Sequence, residues 1–192
     1  MKLNIEPTTF RRALGVIPFA SKDGAAPILT GVCIERNVNQ LTFYATDRYK
    51  AARVTIPVTA DTSQFRVTVD AKMFASAVKA VAPLRTYADT LTLEISEDTV
   101  RITNDTQAHE LRIMEGEYPP MGKFFHQDHG NVEEILLAPA ALKALADSAR
   151  AFGKDATNYE LSFTAPNKPV IATMPLDDNV MFEAVIMPIH KF

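Results

Sequence analysis

One cysteine and no tryptophan occur among the 192 residues, and no apolar run approaches the roughly 20 residues that a membrane-spanning helix needs. A lone Cys33 cannot close an internal disulfide, which points to a reducing, cytoplasmic setting. Lying between Val32 and Ile34, it reads as a small core residue. Glycine is scarce, at seven, and no low-complexity stretch or block of like charge is present, so neither a flexible linker nor a basic tail is expected. A basic excess is missing too: 20 Lys and Arg face 23 Asp and Glu for a net charge of −3, unlike most nucleic-acid-binding domains. The start, Met1-Lys2-Leu3-Asn4-Ile5-Glu6, alternates like a strand and has no basic segment followed by an apolar one, so secretion is not indicated.

Catalytic signatures are likewise absent. There is no Gly-x-x-x-x-Gly-Lys-Ser/Thr phosphate loop, no Gly-x-Gly-x-x-Gly after a strand and no Gly-x-Ser-x-Gly elbow, so no enzyme is expected. His126, Asp128 and His129 fall in a loop-like stretch without a His-Glu-x-x-His frame or a nearby cysteine, so neither a metal nor a cofactor is expected. Asp47 beside Thr46 reads as a turn residue bonding nearby backbone N–H groups.

What is present is repetition. With 47% hydrophobic and 22% charged residues the composition is that of a globular protein with one large core or two small ones. A short strand, an amphipathic helix and two or three further strands recur three times. The helices are expected at Thr8 to Pro18, Ala71 to Val81 and Pro139 to Phe152. Their starts at Thr8, Ala71 and Ala138 lie 63 and 67 residues apart (71 − 8 and 138 − 71), the signature of a tandem unit. The closing strands hold Ala52-Arg53-Val54-Thr55-Ile56, Leu111-Arg112-Ile113-Met114 and Phe182-Glu183-Ala184-Val185-Ile186-Met187. Pro119 to Asn131, rich in Pro, Gly and polar residues, is the best domain boundary.

Helical spacing assigns the buried stripes. They are Phe10, Ala13, Leu14 and Ile17 in the first helix, Phe74, Ala77, Val78 and Val81 in the second, and Leu142, Leu145, Ala149 and Phe152 in the third. Thr8 or Thr9 and then Asp70 are the expected N-caps, and Pro139 opens the third helix. The opposite faces carry Arg11, Arg12, Lys72, Lys79, Lys143, Arg150 and, just beyond, Lys154, against one acid, Asp147. If all three helices share one side of the sheets, these cations form a basic surface able to follow a phosphate backbone without reading bases. Solvated helix faces also favour Lys and Arg for their propensity alone.

Pro27-Ile28-Leu29-Thr30-Gly31-Val32-Cys33-Ile34-Glu35, followed by Leu41-Thr42-Phe43-Tyr44-Ala45-Thr46-Asp47-Arg48-Tyr49-Lys50-Ala51-Ala52, resembles the bacterial sliding clamp, the β subunit of DNA polymerase III. That family carries a Leu-x-Gly-x-x-x-Glu strand and then an Ala-Thr-Asp-Gly-His-Arg-Leu-Ala run. Glu115-Gly116-Glu117-Tyr118-Pro119 is similar to its Gly-x-Phe-Pro turn, and Val185-Ile186-Met187-Pro188-Ile189 to its Val-Met-Pro-Met tail. The resemblance implies an α+β DNA-clamp fold of three βαβββ units with helices on one face of antiparallel sheets. Residues 1–124 correspond to one complete clamp domain and 131–192 to half of another, about one and a half domains where a clamp subunit has three.

It further implies a non-enzymatic processivity factor that encircles or lies along duplex DNA of any sequence, with the basic helices facing the duplex. A lone βαβββ unit leaves a sheet edge and an apolar face uncovered, so self-association through residues 131–192 is expected, as a dimer or a dimer of dimers completing six domains. The family's peptide groove, which captures linear motifs of DNA polymerase and other replication proteins, maps onto Thr46, Arg48, Tyr49, Lys50, Ala51, Pro119, Phe124, Val185, Met187 and Ile189. Arg48, Tyr49 and Ala51 depart from the family's glycine, histidine and leucine, which implies a narrower or altered groove. The short chain points to a phage or mobile-element version. The competing reading is a clamp mimic that does not encircle DNA and regulates host replication by binding the clamp or its clients.

Overall fold

The computed structural model describes residues 1–59, 63–83, 90–125, 135–155 and 158–189. His126, Asp128 and His129 lie outside them. Among the described residues, eleven strands form two antiparallel sheets. The first repeat contributes β1 (Lys2–Ile5), α1 (Pro7–Arg11), β2 (Gly31–Asn37), β3 (Gln40–Thr46) and β4 (Lys50–Pro57). The second contributes β5 (Phe65–Asp70), α2 (Ala71–Val81), β6 (Leu91–Ile95), β7 (Thr99–Thr103) and β8 (Ala108–Arg112). The third contributes α3 (Pro139–Phe152), β9 (Glu160–Ser162), β10 (Val170–Asp177) and β11 (Val180–Ile186).

The first two repeats exchange their leading strands. β1 pairs with β6 in the sheet ordered β1-β6-β7-β8, while β5 pairs with β2 in the other. That second sheet runs β5-β2-β3-β4-β11-β10-β9, so the third repeat continues the sheet of the first. The seam is the antiparallel β4–β11 ladder, where Ala52 faces Ala184 and Ala51 faces Val185. Small side chains there keep the seam shallow on both faces. Arg53 and Glu183, also directly opposite, form an ion pair across it.

One apolar core joins the inner faces of both sheets to all three helices. Phe10, Phe43 and Phe74 meet with ring centroids 5.6–6.1 Å apart. Phe182 gathers Phe19, Phe152 and Tyr159 at 6.1, 5.2 and 5.9 Å. Each large ring removed from water in such a cluster contributes a few kcal/mol, roughly 1.5–3 by area.

The second and third helices occupy their expected bounds, with Asp70 capping Lys72 and Met73 N–H and Pro139 in the first turn. The first helix differs. Its α-helical part is only Pro7–Arg11, and Arg12–Phe19 continues as a 3-10 segment containing Gly15 and Pro18, residues that weaken or break the α-helical ladder. Its N-cap is Glu6, not Thr8 or Thr9, and its carboxylate accepts from Thr8 N at 3.0 Å, from Thr9 N and from the Thr8 hydroxyl. Burial pushes this carboxyl upward, but those donors outweigh it and hold it below its ordinary 4.5. The cap therefore stabilises fully above pH 4.5 and is lost as pH falls through the depressed folded value. Glu6→Ala is expected to cost about 1 kcal/mol near neutrality, and its urea melts should converge with wild type in acid.

Leu142 also departs from expectation. The third helix turns Ala141, Ala144, Leu145, Ser148 and Phe152 inward, against the 3-10 segment of the first repeat, and leaves Leu142 48% exposed. Gly15 sets that angle: a Cβ on it would stand 2.2 Å from Phe152 Cζ, and its carbonyl accepts from Ser148 Oγ at 2.6 Å.

Candidate functional site

The outer face of the seven-stranded sheet is apolar where β2, β3, β4, β10 and β11 expose Cys33, Tyr44, Ala51, Ile171 and Val185. Leu29 and, from the segment after β8, Tyr118, Met121 and Phe125 cover those residues as a second, smaller core. Arg66 fastens that segment through the carbonyls of Tyr118 (3.0 Å) and Pro119 (2.6 Å), and Arg53 lies over the Phe125 ring at 4.6 Å. Burial is the main cause pushing the Tyr118 phenol well above its usual range and the Cys33 thiol upward, so both stay neutral.

Beside this layer opens an apolar cleft of about 220 Å³, lined by Leu29, Thr46, Arg48, Tyr49, Lys50, Ala51, Pro119, Met121, Phe124, Val185 and Met187. Its walls come from four distant segments: the 3-10 turn that holds Leu29, the β3–β4 turn, the Pro119–Phe124 segment and the end of β11. The turn is rigidly built. Asp47 Oδ1 accepts from Tyr49 N at 3.1 Å and Lys50 N at 3.0 Å, and Thr46 Oγ1 donates to Lys50 O at 2.8 Å. Asp47 is thus a turn residue, as its type implied. Lys50 Nζ reaches Asp47 Oδ2 at 2.7 Å and the Pro18 carbonyl at 3.0 Å, tying the turn to the 3-10 segment that follows α1. Tyr49 O accepts from Met187 N at 2.9 Å and joins the turn to the β11 wall.

Arg48 holds a left-handed backbone, φ +81°, which a glycine adopts without strain and an arginine does not. The departure from the family's glycine therefore falls where the backbone still has the glycine's conformation. Tyr49 is 75% exposed at the rim, and Met187 and Phe124 are partly exposed there. Such a wall of one adaptable Met and two aromatics suits an apolar segment of a partner peptide.

Nine of the residues carried over by the resemblance thus come together; Ile189 stands outside the cleft lining and instead donates its N–H to Leu136 O at 2.7 Å. Leu29 and Met121 line the cleft without having been singled out. Leu29 sits in the quoted Pro27–Glu35 stretch, but it belongs to a 3-10 turn, Pro27–Thr30, ahead of the strand, and its spacing carries no sign of exposure. A larger cleft of about 510 Å³ adjoins, sharing Leu29, Arg48, Tyr49 and Lys50 and lined otherwise by polar groups such as Lys22, Asp23, Lys143 and Asp147.

The three helices lie side by side, with α2 and α3 both against the α1/3-10 segment. Lys72, Lys79, Lys143, Arg150 and Lys154 are exposed. Arg11 and Arg12 are not on a free face. Arg11 Nη1 caps the Ala82 carbonyl at 2.6 Å, and Arg12 is ion-paired to Asp177 between the first and third repeats. Their helix is cut short, so the face expected to be solvated is turned into neighbouring elements. Asp147 pairs with Lys143 and, at 3.6 Å, with Arg150, which chiefly through the Lys143 hydrogen bond holds its carboxyl low and trims the positive charge of α3. Among the described residues no helix is long and apolar enough to cross a membrane.

Paired antiparallel sheets, strand exchange between tandem βαβββ units and helices gathered on one side define a DNA-clamp fold. The structure is similar to the DNA polymerase III β subunit of Thermotoga maritima (TM-score 0.77, 12% identity), covering 100% of this chain and 66% of that one. It is equally similar to the Bacillus subtilis sliding clamp (0.77, 15% identity, 100% and 65%). It is also similar to the Pseudomonas aeruginosa clamp bound to griselimycin (0.76, 13% identity, 100% and 66%). The chain therefore spans just under two thirds of the length of these clamps. No curated protein matches it. The family model for the central domain of the DNA polymerase III beta subunit matches residues 4–120, more than half of the chain. The protein belongs to the DNA polymerase III beta subunit family.

Proposed function

We propose that this protein is a sliding-clamp-type processivity factor that self-associates around or along duplex DNA and holds linear motifs of DNA polymerase or other replication proteins in its apolar cleft. We divide it into a complete clamp-like domain, 1–124, and a half domain, 131–192. The role needs no catalysis and no cofactor. The observation that carries the reading is the cleft at the β4–β11 seam, an apolar hollow assembled from four segments far apart in sequence. Family membership and the exposed lysines of α2 support the DNA part.

Two measurements test it. Griselimycin, the ligand of the Pseudomonas aeruginosa clamp, should bind and raise Tm, and Met187→Asp should weaken it at least tenfold without lowering the melting temperature of the free protein. For DNA, non-specific affinity should fall steeply with salt, and Lys72→Glu with Lys79→Glu should reduce the log–log salt slope by about 2. Griselimycin binding without DNA association would favour the clamp mimic, for which β8 and β9, edge strands among the described residues, are the natural contact with another clamp subunit. Failure of both would remove the reading.

A further inference from the structure

The apolar cleft is small for a peptide. At about 220 Å³ it falls below the roughly 300–1,000 Å³ of pockets that bury a whole small ligand, so it seats a short apolar stretch and leaves the rest of a bound segment outside. The adjoining cleft of about 510 Å³ shares Leu29, Arg48, Tyr49 and Lys50 with it. A chain leaving the apolar cleft on that side crosses those residues and enters a hollow walled by Pro18 and Ala20 on one hand and by Ala140 and Ala144 of α3 on the other.

The charges of this second cleft are unevenly committed. Four cations line it, Lys22, Arg48, Lys50 and Lys143, with three acids, Asp23, Asp47 and Asp147. Asp47 accepts from two backbone N–H groups and pairs with Lys50, and Asp147 pairs with Lys143 and Arg150. Asp23 serves its own loop, where Oδ1 accepts from Ala25 N at 2.9 Å. Among the described residues, Lys22 and Arg48 stand in no ion pair, and both are exposed. Lys22 acts only through its field, which adds to the causes that hold the Asp147 carboxyl low. The first turn of α3, which no side chain caps, brings its positive end to the same cleft through Ala140.

Arg48 is kept where the backbone resists it. At φ +81° an arginine costs stability that a glycine would not. Its N–H donates to Thr46 Oγ1 at 3.2 Å, so a charged side chain stands on a fixed turn, on the wall that both clefts share. We propose that the segment bound here is acidic beside its apolar anchor: Asp or Glu side chains next in the chain meet the Arg48 guanidinium and, further along, Lys22. Arg48 is then a specificity-determining residue, its fork of donors matching a carboxylate. The carboxylate comes from side chains and not from a chain end, because the second cleft continues past Arg48 with room for further residues. This inference rests on the peptide-binding reading of the apolar cleft and adds to it the charge of the partner.

Calorimetric titration with end-blocked peptides tests it. The probes are acetyl-Leu-Phe-Gly-Asp-Asp-amide and the reverse order acetyl-Asp-Asp-Gly-Phe-Leu-amide, which cover both chain directions, each also made with Asn or Lys in place of Asp. An exposed ion pair changes affinity by up to roughly fivefold, so with two cations the Asp form of the better order should bind about five- to tenfold more tightly than its Asn form at low salt. The ratio should shrink toward one as salt rises. Arg48→Gly with Lys22→Gln should bring it below about twofold, whereas Arg48→Lys should keep most of it. Arg101→Gln, which removes one positive charge from β7 of the other sheet, should not move it. Arg48→Glu, under the same backbone constraint, should turn the preference toward the Lys form. Equal affinity for the Asp and Asn forms, or a preference that survives loss of both cations, overturns this inference and leaves the apolar cleft standing. Acetyl-Leu-Phe with a free terminal carboxylate binding as tightly as the Asp form overturns it too, by placing the charge at a chain end. Binding of no form in either order also overturns it, and griselimycin then decides whether the cleft reading falls with it.

Discussion

A valine at position 15 is expected to prise the third repeat away from the first. Gly15 lies in the 3-10 segment directly under α3, and its missing side chain is the space that the Phe152 ring occupies. A Cβ there would sit 2.2 Å from Cζ and 2.5 Å from Cε1 of that ring. The ring has no free rotamer to retreat into, because Phe152 is buried and packed 5.2 Å from Phe182. Relief must come from backbone separation, which also stretches the Ser148 bond to the Gly15 carbonyl, now 2.6 Å. The expected loss is about 3 kcal/mol, at the upper end for overpacking a core. Phe152→Ala alone should cost about 3–5 kcal/mol by opening a cavity. The double variant should be less damaged than the sum by at least about 1 kcal/mol, since the added methyls fill part of that cavity. Urea unfolding of all four proteins checks this. Additive losses would mean that the ring is not what the new side chain meets.

Truncating Phe74 is the second large effect. Its ring is wholly buried, with Phe10 at 6.1 Å and Phe43 at 5.7 Å, and it joins two helices and a sheet. Phe74→Ala should cost about 3–5 kcal/mol, mostly from the cavity left among groups that cannot collapse onto it. Leu142→Ala removes the residue at the same offset from its helix start in the third repeat, and in the dilute single chain it should cost below about 1 kcal/mol, because half of that side chain is already in water. Denaturant melts at nanomolar protein separate the two. Equal costs would mean that the offsets do not describe equivalent places.

The same comparison separates what could be read along the chain from what could not. α2 and α3 were legible to the residue because Asp70 and Pro139 are strong local start signals and each apolar stripe keeps helical spacing without interruption. The first helix was not, since its stripe is equally regular while Gly15 and Pro18 undo the α-helical ladder beneath it. Leu142 fits the apolar spacing of α3 and is still half exposed. Periodicity assigns a face, and only a neighbour can cover it. Arg11 and Arg12 carry the opposite lesson: two cations on a polar face were expected in water, yet one caps α2 and the other pairs with Asp177 of the third repeat.

The cleft divides in the same way. The Thr46–Ala51 turn and the Val185–Met187 strand end are contiguous stretches that carry their own likeness to the clamp family. Leu29 and Met121 entered through a 3-10 turn and a loop with no periodicity to mark them. Tandem units, strand and helix types and the apolar stripes follow from local patterning, because propensity and spacing act over a few residues. Which strands exchange, that the third repeat extends the first sheet, and which apolar face stays open were settled by packing, because they depend on pairings between residues far apart in the chain, such as Leu3 with Leu93 and Ala52 with Ala184.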